Sequence, residues 1–158
     1  MRKLGIGFMA LLSIAACGGS STDTTAGTPA TSAPVATAVP TPAPIMVTLN
    51  AVGDSGVTGT GEIVKSTGGF TVTMKLKGLA PSSNHVNHIH NGSCTANGGI
   101  AIALQPLAAD ASGAATATST ISQEFTVPAA GWYLNVHTGP DLQGANAKPI
   151  ACGNVASS

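Results

Sequence analysis

The sequence predicts an all-β domain, a Greek-key β-sandwich or barrel of about seven or eight short strands. Three observations predict it. Charged residues make up only 8% of the 158, and stretches rich in Leu, Glu and Lys, the material of helices, are almost absent. Thr, Val, Ala and twenty glycines dominate the composition. From Ile45 onward, apolar and polar residues alternate in short runs separated by turn signals. The length allows one domain of modest size. Six Lys+Arg balance six Asp+Glu, which argues against a nucleic-acid binder, because neutralising phosphates takes clustered cations.

Residues 1–16 read as a signal peptide. Arg2 and Lys3 form a short positive region, and residues 4–16 are mostly apolar. That stretch is too short to span a bilayer, and no run of eighteen apolar residues occurs elsewhere. It ends in Leu12-Ser13-Ile14-Ala15-Ala16-Cys17, which resembles the lipobox of bacterial lipoproteins. The resemblance implies cleavage before Cys17 and lipidation of that cysteine. An ordinary secretory signal is the alternative. Acyl chains on Cys17 anchor by hydrocarbon burial, at roughly 0.8 kcal/mol per CH₂. The expected location is a bacterial cell envelope, outside the cytoplasm, with the membrane contacted through the lipid only.

Residues 17–44 read as the lipid-bearing cysteine and a linker. Pro29, Pro34, Pro40, Pro42 and Pro44 fall here with seven threonines and a single charge, Asp23. Nothing in it can form a core, and the prolines favour an extended chain reaching up to roughly 80 Å.

Residues 45–158 form the expected domain. Met46-Val47-Thr48-Leu49 opens it, and residues 53–61 read as a turn region. Phe70, Val72, Met74 and Leu76 then alternate with Thr71, Thr73, Lys75 and Lys77, a strand with one buried face. Gly78-Leu79-Ala80-Pro81 ends it. Further strands are expected over 86–90, 100–104, 114–121, 123–127, 132–137 and 150–155. Turn signals separate them, at Asn91-Gly92, Asn97-Gly98-Gly99, 110–113, 128–131 and Gly139-Pro140. No helix of ordinary length is readable.

With Cys17 lipidated, Cys94 and Cys152 remain, and export favours their oxidation to a disulfide. The rival reading makes both of them metal ligands, although neither lies in a CxxC spacing.

All four histidines lie in the domain, three of them in His85-Val86-Asn87-His88-Ile89-His90. His88 and His90 are two apart, so a strand puts both rings on one face, close enough to chelate one ion. His85 reaches the same ion only through a bend or bulge. His137 lies on a second strand, on the face of Tyr133 and Asn135, and a sandwich can bring it beside the pair. Imidazole clusters suit copper, zinc, nickel and iron. In an exported chain without acidic ligands nearby, the expected ion is copper. The plainer alternative is four surface or hydrogen-bonded core histidines.

At these residues the sequence resembles the copper/zinc superoxide dismutase family. The matching stretches are Gly78 to Pro81, His85 to Cys94, Pro106 to Thr116, Leu134 to His137, Asp141 to Gly144 and Asn146 to Gly153. The domain is also similar to the chordin-type domains found in bacteria. The dismutase resemblance implies that His88, His90 and His137 are copper ligands and that Cys94 and Cys152 pair. It implies that His85 supports the site from behind or serves as a fourth ligand. The family's bimetallic site uses six histidines and an aspartate, whereas this chain has four histidines in all. Residues 95–103 carry no His or Asp, so no zinc site of the family type is expected. The family arginine that attracts superoxide aligns with Pro149, with Lys148 adjacent but not equivalent.

Three functions follow from this reading. The first is one copper ion disproportionating superoxide, weakly or not at all, since the bridging imidazole and the arginine are missing. The second is a surface copper buffer or carrier using the same residues. The third is a metal-free interaction module on a stalk. Trp132 and Tyr133 read as strand packing or an interface patch, Met46 and Met74 as core fillers, Asn97-Gly98-Gly99 as a plain turn, and Asp141 as a residue that fixes a loop.

Overall fold

The structure, a computed structural model, describes residues 43–156. The expected signal peptide, the lipid-bearing Cys17 and all but the last two linker residues lie outside the described residues. Ten strands follow in order: β1 (Ile45–Ala51), β2 (Thr58–Ser66), β3 (Gly69–Lys77), β4 (Asn84–His85), β5 (Asn87–Gly92), β6 (Asn97–Ala103), β7 (Leu107–Ala108), β8 (Ala115–Ile121), β9 (Trp132–His137) and β10 (Pro149–Val155). Among the described residues, the single helical piece is a 3₁₀ turn, Gly144–Ala147.

Eight strands form one antiparallel sheet in the order β6-β5-β9-β10-β1-β2-β3-β8, and β4 pairs with β7 apart from it. The sheet curls into a half-barrel. The chain is a meander through β1, β2 and β3, then crosses to β5 near the far end of the sheet. It returns to β8 beside β3 and crosses again to β9 beside β5. These two long crossings are Greek-key connections.

The period-two pattern decides which face is inside. On β3, Phe70, Val72, Met74 and Leu76 are buried, while Lys75 and Lys77 are exposed. The β2–β3 hairpin pairs from Thr58↔Lys77 to Ser66↔Gly69. Its two-residue turn places Gly68 at φ +75°, a conformation that suits glycine. Facing walls meet in one core containing Val47, Leu49, Ile63, Ile89, Leu134 and Val136. A Cβ at Gly61 on β2 would overlap Leu134 Cδ1 from β9, so these strands face each other across the core. Phe70 of β3 lies 6.2 Å, centroid to centroid, from Trp132 of β9, and Phe125 meets both rings edge-on at 5.2 and 5.6 Å.

Four local expectations are corrected. The turn expected over 53–61 is strand from Thr58 onward, because Gly59 and Gly61 pair within the sheet. Asn97-Gly98-Gly99 opens β6 instead of forming a plain turn. Residues 123–127 form no strand; Phe125 and Val127 pack against the core from irregular backbone. Met46 lies on the wet face of β1 at 60% exposure, whereas Met74 fills the core as expected.

Candidate metal centre

The centre is built on two adjacent strands. On β5, Ile89 enters the core, so its neighbours His88 and His90 share the opposite face. On β9, Leu134 and Val136 enter the core, and Tyr133, Asn135 and His137 share that same outer face. The β5–β9 register sets His88 opposite Asn135 and His90 opposite Tyr133. A Greek-key crossing therefore joins residues some fifty positions apart in the chain.

His88, His90 and His137 converge. Their ring centroids are 5.7, 5.3 and 5.7 Å apart, and one nitrogen from each lies within 4.8 Å of the others. All three are buried, at 8, 8 and 5% exposure. Two rings are aimed by backbone carbonyls. His90 Nδ1 donates to Gly98 O at 3.1 Å, and His137 Nδ1 donates to Ala147 O at 2.8 Å. Fixing the proton on Nδ1 leaves the Nε2 lone pair free, the usual arrangement behind a metal ligand. His90 Nε2 and His88 Nδ1 are buried without any hydrogen-bond partner. An unsatisfied buried polar atom costs on the order of 1–3 kcal/mol, and two of them together call for an occupant. A cation bound by three neutral imidazoles fits this donor set.

The electrostatics agree. Burial pushes His88 down from 6.5 to about 4, with repulsion from His137 and His90 adding to it. Burial also lowers His137, opposed by its bond to the Ala147 carbonyl and helped by His90. Both are neutral at pH 7, the form that ligates.

His85 stands apart from this group. Its Nδ1 donates to the carbonyl of His137 at 2.9 Å, and its Nε2 meets Ser83 Oγ at 2.6 Å. With both ring nitrogens engaged, it braces the backbone at His137 and does not join the three converging rings. Cys94 and Cys152 are bonded to each other, so neither sulfur is a ligand. Cys152 lies opposite Asn135 in the β9–β10 register, which puts the disulfide on the strand beside the centre.

The loop after His137 is held by Asp141. Its carboxylate accepts from Gln143 N and Asn146 Nδ2, both at 2.9 Å, and those bonds hold it below the usual carboxylate range. This loop carries Ala147, whose carbonyl aims His137. Tyr133 stacks on His90 at 5.1 Å between centroids. The two aiming carbonyls, of Gly98 and Ala147, are not legible in the sequence, because no side-chain pattern marks a backbone oxygen.

A curled antiparallel sheet with a disulfide and a three-histidine group on its outer face defines a small β-module whose histidines could hold a metal ion. Residues 46–145 match the CHRD domain family, and the chain belongs to it. CHRD domains occur in secreted or extracellular proteins. The superoxide dismutase family is not matched. No curated protein matches the chain. Among the described residues, no helix is long and apolar enough to cross a membrane.

Proposed function

We propose that this chain is an exported copper protein, lipid-anchored through Cys17, whose His88, His90 and His137 bind one copper ion. The observation that carries the reading is the convergence of three buried imidazoles, two of which present a nitrogen with no partner. Copper is favoured because all three donors are imidazoles, with no carboxylate in the group, and because Cu²⁺ heads the divalent affinity order. The disulfide fits an oxidising compartment.

Bound copper supplies a one-electron couple, and with it slow disproportionation of superoxide. The chain's own residues hold that ion in place. The Gly98 and Ala147 carbonyls fix two rings on paired strands, which would hold a bound ion between His90 and His137. The depressed His88 and His137 carry no proton to be displaced at pH 7. Steering is weak. Of the four described cations, Lys65, Lys75 and Lys77 stand on β2 and β3, beyond β1 and β10 from the centre; Lys148, next in the chain to Ala147, is the single one near it, and Pro149 stands where the resembling family has its arginine. Steering contributes about 10–10³ to on-rates where it is present.

One observation favours copper storage over turnover as the second reading: the two unpartnered nitrogens have essentially no solvent-exposed area. Calorimetric titration with Cu(I) and Cu(II) tests the binding, with one site expected and its loss expected in His137→Ala. Superoxide consumption by the copper-loaded protein then separates the readings. Turnover that disappears in His88→Ala and His137→Ala supports the dismutase, and tight binding without turnover supports the store. Absence of binding in either oxidation state ends both. For the anchor, Cys17→Ser is expected to move the protein from the membrane fraction to the soluble one.

A further inference from the structure

We propose that Asn135 is the fourth donor of this centre, through its carboxamide oxygen. The inference rests on the copper reading above.

Asn135 lies in the middle of β9, between the core residues Leu134 and Val136, two positions before His137 and opposite His88. A strand interior disfavours asparagine, and here the residue is 5% exposed. Among the described residues, four buried side-chain atoms lack a hydrogen-bond partner. Three of the four belong to this one outer face: His88 Nδ1, His90 Nε2 and Asn135 Oδ1. Asn135 is therefore a member of the same unsatisfied cluster.

The spacing fits ligation. The amide end of Asn135 stands 3.4 Å from His137 Nε2. That is beyond the ordinary hydrogen-bond range of about 2.7–3.2 Å, so little is lost if the contact changes. Two donors, each ~2.1 Å from one ion at a tetrahedral angle, stand about 3.4 Å apart. The two ends of a carboxamide have the same shape, and a half-turn of the group exchanges Oδ1 and Nδ2. A cation held by His137 selects the oxygen end, because the carbonyl carries partial negative charge and the amide nitrogen has no free lone pair.

A fourth, oxygen donor has a chemical signature. Three imidazoles serve Cu(I) and Cu(II) alike, whereas a hard carbonyl oxygen favours Cu(II). Asn135 thus biases the centre toward the oxidised ion.

The test compares the full chain with its Asn135→Leu and Asn135→Asp variants. Cu(II) and Cu(I) affinities are measured by chelator competition, and the Cu(II) form by electron paramagnetic resonance. Groups one step behind a ligand are already worth roughly 10–100-fold in affinity, so Asn135→Leu is expected to lose at least about tenfold for Cu(II) while keeping Cu(I). Its Cu(II) spectrum is expected to shift. Asn135→Asp keeps an oxygen donor and adds charge, and is expected to bind Cu(II) more tightly than the parent, with a shifted spectrum. A folded Asn135→Leu with parental Cu(II) affinity and spectrum overturns the proposal. So does an equal loss for both oxidation states, the mark of general damage. Should Asn135→Leu fail to fold, Asn135→Asp decides, and an Asp variant whose Cu(II) binding and spectrum match the parent overturns it. Copper binding by the parent with an unaffected Leu variant sinks Asn135 alone; no copper binding by the parent sinks the copper reading and Asn135 together.

Discussion

At His88 the backbone places an imidazole where water barely reaches, beside two more imidazoles. Charging that ring means desolvating a cation next to two further rings that also take protons, so its pKa falls from 6.5 to about 4. The unfolded chain has no such penalty. Between pH 6.5 and 4, the unfolded state therefore binds more protons than the folded one. Stability of the metal-free protein is full above about pH 6.5 and falls as pH drops toward 4. The loss from His88 alone is on the order of 3 kcal/mol, and the lowered His137 adds to it in the same direction. Urea midpoints of chelator-treated protein at stepped pH check this, and a midpoint that stays constant from pH 6.5 to 4 contradicts it. Copper shifts the balance the other way, since it binds the folded state and competes with those protons. Loaded protein is expected to keep its midpoint to lower pH than the metal-free form.

Among the elements, β2 shows what a sequence reading can and cannot see. Residues 70–77 declare themselves as a strand through strict alternation, and the structure places β3 there. Their partner β2 was hidden by Gly59 and Gly61, which read as turn. Both are required by neighbours that the sequence does not reveal. A Cβ at Gly59 would overlap the Lys75 carbonyl, and one at Gly61 would overlap Leu134 from the facing wall. Likewise the spacing His88–Ile89–His90 puts two rings on one face by local geometry alone. The arrival of His137 depends on a crossover, which no local pattern encodes. The Gly61–Leu134 contact gives an element-scale prediction. Gly61→Ala overpacks the core and is expected to cost about 1–3 kcal/mol. Leu134→Ala removes a fully buried side chain, at about 2–5 kcal/mol. In the double variant the new methyl occupies part of the vacated space, so its loss is expected to fall below the sum of the two by ~1 kcal/mol or more. Strict additivity in denaturant unfolding contradicts the facing of β2 and β9.

Across the whole molecule, the disulfide joins what the sheet order leaves to loops. Cys94 lies in the loop between β5 and β6, and Cys152 lies on β10, which pairs with β9 and β1. The bond spans a sequence separation of 58. In the chain-entropy account, closing a loop of that size stabilises the folded state by about 4 kcal/mol. The domain has four aromatic residues, three of them packed together around Phe70, so this contribution is a large share of a marginal total. The same bond reaches the centre through the chain. Cys94 N donates to Asn154 Oδ1 at 2.8 Å, which holds the loop down on β10, and four residues further on Gly98 offers the carbonyl that aims His90. Freeing the loop therefore acts twice, on the unfolded ensemble and on one ligand ring. Cys152→Ser is expected to lower the unfolding free energy of metal-free protein by about 4 kcal/mol. Copper affinity is expected to fall by roughly 10–100-fold, the range for losing an orienting partner behind a ligand. Reduction of the parent is expected to reproduce both effects, and reoxidation to reverse them. A reduced protein that unfolds at the parental denaturant concentration contradicts the first effect. Equal copper affinity in the two redox forms breaks the link between disulfide and His90, and leaves the bond a purely structural tie.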